Sequence, residues 1–158
     1  MNSPFKLLID ENIGKPIGSV LVQLLKWHPE PPEIAFVVDR FGGQKDHIWV
    51  PQVAQEGWVI LSTDRAKQCG GAKLHHVCEE HKVTHILMSA TMHELKQFHK
   101  VAMVIRLWDK IVEVRLAPPG SRFHMKFHAS VPVVVFYQRK PKKITPFKRI
   151  DEEESQKA

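Results

Sequence analysis

Asp10, Glu11, Asp46 and Asp64, with Asp39 as a fifth acid, are the residues whose types and spacing in this 158-residue chain could do chemistry. Asp10 and Glu11 fall in "KLLIDENIG", residues 6–14, where an apolar run ends on two adjacent acids, an asparagine and a glycine. Asp39 closes "IAFVVD", Asp64 follows "WVILST", and Asp46 opens "DHIWVPQVAQE". Carboxylates brought together repel and raise one another's pKa, so such a cluster calls for a cation. Magnesium and manganese suit it, because both are hard ions that take oxygen ligands and keep waters able to face a phosphate. Two such ions about 3.5–4 Å apart stabilise the attacking and leaving oxygens of a phosphodiester cleavage. Each acid also has a plainer use: Asp46 as a helix cap, Asp39 as a turn residue, and Asn12 as the cap of the first helix.

The elements that must position these acids alternate along the chain. Residues 5–9 (FKLLI) predict a buried strand, and Gly14 with Pro16 opens a helix whose apolar positions are Ile17, Val20, Leu21, Leu24 and Trp27. Further strands are expected over 34–38, 58–62 and 84–88, with a helix from Asp46 and another over 72–81. Leu95, Phe98, Ala102, Ile105, Trp108 and Val112 step by three and four, which predicts one long helix ended by "APPG". Residues 122–127 and 131–137 read as a terminal strand pair. This alternation predicts an α/β fold with a mainly parallel sheet, whose working edge lies beyond the carboxyl ends of its strands.

Composition bounds what such a site could act on. At 43% hydrophobic residues the chain supports one domain over 1–137, followed by a basic, then acidic, tail over 138–158. Asp151, Glu152, Glu153 and Glu154 sit in that tail, so residues 1–150 carry 22 Lys and Arg against 13 Asp and Glu, a balance of +9. A basic body suits a polyanion, nucleic acid being the commonest. Two cysteines, Cys69 and Cys78, make no disulfide framework, and no apolar run reaches the roughly 20 residues a membrane span needs. A cytoplasmic protein with no membrane association is the expectation. Cys69, Cys78 and His81 have no familiar zinc spacing, and "CGGAK" lacks the phosphate-loop pattern.

"LLIDENIG", "DHIWVPQVAQEGWVILSTDRA" and "THILMSATMHELKQF" together resemble the PIN-like ribonucleases, and within them the group close to VapC-type toxins of toxin-antitoxin pairs, over residues 5–137. The resemblance implies a PIN-like three-layer α/β/α sandwich and a Mg2+- or Mn2+-dependent ribonuclease. It implies as partners RNA, a cognate antitoxin protein and a second copy in a homodimer. It places the metal-binding acids on Asp10, Asp46 and Asp64, with Thr63 as a neighbouring hydroxyl that orients ligand or water. Many relatives carry a further acid shortly after the third; here Arg65, Lys67 and Gln68 follow, so Glu11 or Asp39 supplies that charge, or the site holds one metal, or activity is weak.

Two rivals stand beside the enzyme. A non-catalytic RNA- or antitoxin-binding module on a degenerate PIN-like fold fits the missing acid. A phosphoacceptor receiver domain fits Asp10 with Glu11 and Ser89, but wants a lysine after a fifth parallel strand, for which the helical reading of 93–116 leaves no room.

Overall fold

Alternation along the central strands decides the architecture. In the computed structural model, which describes residues 3–63 and 73–137, Leu7 and Ile9 of β1 (Lys6–Ile9) enter one hydrophobic cluster and Leu8 enters another. Strand β3 (Val59–Thr63) does the same, sending Val59 and Leu61 one way and Ile60 the other. Strands buried on both faces need helices on both sides, and two sets of helices supply them. The first cluster is completed by α1 (Lys15–Leu25), α5 (Ala90–His93), α6 (Gln97–Arg106) and α7 (Trp108–Glu113). The second is completed by α2 (Val37–Phe41), α3 (Asp46–Glu56) and α4 (Leu74–Glu80). The result is the expected α/β/α sandwich.

Among the described residues the sheet runs β2-β1-β3-β4-β5-β6, with β2 at Glu33–Phe36, β4 at His85–Met88, β5 at Arg122–His128 and β6 at Val131–Phe136. All neighbours pair in parallel except β5 with β6. The chain leaves β1 toward β2 and then returns past β1 to β3, so the strand order reverses between β1 and β3. That reversal opens the crevice in which doubly wound sheets hold ligands. Asp10 and the end of β3 flank it.

Several local expectations are corrected. Strand β2 stops at Phe36, and Asp39 lies within α2 instead of at a strand end. Asn12 does not cap α1: its side chain donates to Asp10, and Gly14, at φ 96°, precedes the helix. Leu24, Val20 and Trp27 are 51%, 47% and 81% exposed, while Ile17, Gly18, Leu21 and Leu25 are buried. The expected long helix is two, broken at Leu107; its buried face is Val101, Val104, Trp108 and Ile111, which shares only Trp108 with the expected set, while Phe98 is 82% exposed. Both segments carry two apolar stripes, and periodicity alone does not say which one meets the sheet. A fifth parallel strand does exist in β5, but Ala129 and Ser130 follow it, not the lysine a receiver requires. The tail expected over 138–158 lies outside the described residues.

Candidate active site

Asp10 directly follows β1, where its backbone N–H donates to the Leu61 carbonyl at 2.9 Å and so ties it to β3. Its carboxylate caps the 3-10 turn Glu11–Ile13: Oδ1 accepts from the Glu11 N–H at 2.9 Å and Oδ2 from Asn12 Nδ2 at 3.2 Å. The "DENIG" motif is therefore a local clamp that fixes one carboxylate at the strand end. Both bonds favour the charged form. Burial nevertheless dominates and, with the charges of Glu11 and Asp46 added, pushes the Asp10 pKa up to about 6.

Asp46 arrives from the opposite direction in sequence, in the first turn of α3. The helix places it there because Trp49, Val50 and Val53 pack into the second core cluster and set the rotation of the first turn. Burial raises the Asp46 pKa, a hydrogen bond from the Trp49 side chain opposes the rise, and the charge of Glu11 adds to it. The charges of Glu11 and Asp46 thus both reach Asp10, and that of Glu11 reaches Asp46.

Asp39 is differently engaged. Lys15 Nζ lies 2.8 Å from its Oδ1. Arg40, next to it, bonds Glu56 at 2.9 Å and covers the rings of Phe41 and Trp58. By the alternation of β3, Thr63 shares the face of Val59 and Leu61, and its Oγ1 is buried without a hydrogen-bond partner among the described residues. Asp64, with Arg65, Lys67, Gln68 and Cys69, lies outside the described residues. Cys78 packs in the second cluster, and burial pushes its thiol up to about 12, which disfavours the thiolate a zinc site would need.

Sequence reasoning missed a buried polar pair. Ser62 Oγ and His85 Nε2 meet at 2.6 Å between β3 and β4, and burial drives the His85 pKa down to about 3, so the ring is neutral. Nothing local signals this pairing, since its members lie on different strands.

The donors at Asp10, Glu11 and Asp46 are all oxygens, which suits a hard divalent cation in kind. Among the described residues no three His, Cys, Asp or Glu side chains are grouped closely enough to hold an ion. Magnesium is commonly bound through only one or two carboxylates plus substrate phosphates, which is the number of acids that Asp10 and Asp46 provide. A family model described as a PIN like domain matches residues 5–89, from the residue before β1 to the residue after β4. Comparison with curated proteins found no match, and comparison with solved structures found none either.

Proposed function

The chain belongs to the PIN-like domain family, with which nuclease-type function goes, and from that premise we propose a Mg2+- or Mn2+-dependent ribonuclease that cleaves RNA phosphodiester bonds. The observation that carries this reading is a pair of carboxylates, Asp10 and Asp46, that come from a strand end and a helix start 36 positions apart, are both held above the ordinary range chiefly by burial, and share the added charge of Glu11, with Asp46 also acting on Asp10. Acids raised by burial and by one another's neighbouring charge, beside a crevice of the sheet, are a common sign of a functional site. Asp10 and Asp46 would hold the ion, with Asp64 as third acid. A bound divalent ion there supplies positive charge to the phosphate oxygens on which negative charge develops.

The protein's own part is positioning. The Glu11 N–H and the Asn12 amide orient both oxygens of Asp10, so the carboxylate needs no reorganisation when a ligand arrives. The Trp49 side chain does the same for Asp46. Thr63 Oγ1 is buried and unpartnered among the described residues, but it lies on the face of Leu61, opposite that of Asp10, so its assigned part as the orienting hydroxyl rests on the resemblance alone. Glu11 supplies the further negative charge.

The finer reading is the toxin of a toxin-antitoxin pair, close to the VapC group, working in the cytoplasm. What supports a protein partner, whether an antitoxin or a second copy, is the exposed apolar stripe Val20, Leu24 and Trp27 running out of α1, with Phe98 on α6 similarly bare. The non-catalytic alternative draws on the lack of a three-ligand group among the described residues.

The experiment is cleavage of a labelled RNA panel with magnesium or manganese, comparing wild type with Asp10→Asn and Asp46→Asn. Divalent-dependent cleavage by the wild type alone is expected. No cleavage and no metal binding at millimolar concentration would replace the enzyme with the binding module.

A further inference from the structure

Strand β5 has two unlike faces. Phe123 and Met125 point into the first core cluster and are buried, whereas Arg122, His124, Lys126 and His128 point the other way and are all at least partly exposed. Beside them on β6, Val135, Val133 and Val131 lie opposite His124, Lys126 and His128, and the Tyr137 N–H donates to the Arg122 carbonyl at 2.9 Å. Neither strand contains an acid. The helices that cover this side of the sheet, α2 to α4, pack over β1, β3 and the start of β4, and the basic row lies beyond them.

A cavity of about 430 Å³ opens at the amino end of the row. Arg122, Tyr137, His75, His85, Cys78 and Glu79 are in its wall, Glu79 being the only acid there among the described residues. The Arg122 guanidinium sits 3.7 Å above the centre of the Tyr137 ring, and the His124 ring is 5.6 Å from it. His85 is 3% exposed, and its Nδ1 has no hydrogen-bond partner among the described residues, its other nitrogen being committed to Ser62. Burial of that kind normally demands a partner, and a ligand in the cavity can draw the ring toward it. The volume falls in the range of about 300–1,000 Å³ typical of small-ligand sites.

The geometry points to this face as a single-stranded RNA track, with the cavity taking one unpaired nucleotide. Positive charge from Arg122 and Lys126 neutralises phosphates, and Tyr137 with its stacked guanidinium offers a flat platform for a base, the combination by which proteins hold single strands. The basic balance of residues 1–150 favours a polyanion over a protein on the same face. Asp10 lies on this side of the sheet, since it continues the alternation of Leu8, and the buried Cys78 thiol in the cavity wall feels Asp46 and Asp10 as well as Arg122. RNA held along β5 therefore lies on the same face as the acids and runs from the cavity at the amino edge of the sheet toward the carboxyl edge where they sit. This placement rests on the ribonuclease reading but fails separately from it.

The test is fluorescence anisotropy of the full chain with a labelled single-stranded RNA of about 20 nucleotides, in EDTA to stop cleavage. Lys126→Glu and Tyr137→Ala each weaken binding about tenfold at low salt, and Lys126→Glu lowers the salt slope by about one. Lys110→Glu, on α7 across the sheet, changes affinity less than about twofold. Melting curves identify any variant that fails to fold, and Lys126→Glu, a partly exposed strand position, decides the matter if Tyr137→Ala does. Unchanged affinity in Lys126→Glu, equal weakening in Lys110→Glu, or equally tight binding of a duplex overturns the track. Wild type that binds in this pattern but never cleaves sinks the nuclease while the track stands; wild type that cleaves with Lys126→Glu binding normally does the reverse.

Discussion

Lys15 Nζ and Asp39 Oδ1 stand 2.8 Å apart, joining the start of α1 to the middle of α2. Asp39 is thereby neutralised in place, on a side chain 46% exposed, and contributes to the surface rather than to the group of like charges around Asp10. Asp39→Asn should leave RNA cleavage within about threefold of wild type, and an exposed pair of this kind is worth only about 0–1 kcal/mol. Loss of cleavage comparable to that in Asp10→Asn would move Asp39 into the site.

Asp10→Asn should remove cleavage and yet raise stability in a pH-dependent way. The folded pKa, about 6, lies above the ordinary 3.8, so the folded state holds a proton that the unfolded chain has released between those values. Stability from this group is full below about 3.8 and is lost as pH rises to about 6. The variant has no such loss. Its melting temperature relative to wild type should climb across that interval and then level off, and millimolar magnesium at pH 7 should raise the wild-type value more than the variant's.

His85 titrates with the opposite sign. Its folded pKa, about 3, lies below the ordinary 6.5, so its contribution is complete above about 6.5 and is lost as pH falls toward 3. The ring should show no protonation in NMR spectra between pH 5 and 8. Ser62→Ala leaves His85 Nε2 without its partner and should cost about 1–3 kcal/mol in denaturant melts. A value near zero would mean that the bond is dispensable.

Gly18→Ala should destabilise the fold by about 1–3 kcal/mol through overpacking. A methyl group there would collide with the Phe36 ring, where α1 crosses β2. Phe36→Leu in the same chain should recover much of the loss, and additive losses in the double variant would contradict that contact.

What the sequence disclosed was local. Asp10 was legible because an apolar run, a clamp of short polar residues and a glycine follow each other directly, and β3 and β4 were legible as short apolar runs. The rotation of α6 was not, because Phe98 and Val101 belong to competing stripes that only the sheet can choose between. Asp39 was misplaced because Val37 and Val38 favour a strand by composition, while α2 turns away after Phe36 to bury Val37 and Phe41 against α3. The cavity joins His75, His85 and Arg122 from three elements with Tyr137, the residue after β6, which no spacing announces. One signal was there to be used: in "RFHMKFH" the alternation of basic and apolar residues marks a strand with one open face.

Strand β6 also bears on how the protein behaves in a test tube. Among the described residues it is the outer strand of the sheet, and its sequence, VPVVVF, has no charge to deter a neighbouring molecule from extending the ladder. Pro132 is its one interruption: it lacks an N–H, so an incoming strand meets a gap in the hydrogen-bonding pattern. Natural sequences place such gatekeepers in apolar windows prone to fibrillar assembly. Pro132→Val would leave an unbroken run of valines, and light scattering of a concentrated solution held at 37 °C should then rise well before that of the wild type, with solubility and not catalysis the property lost.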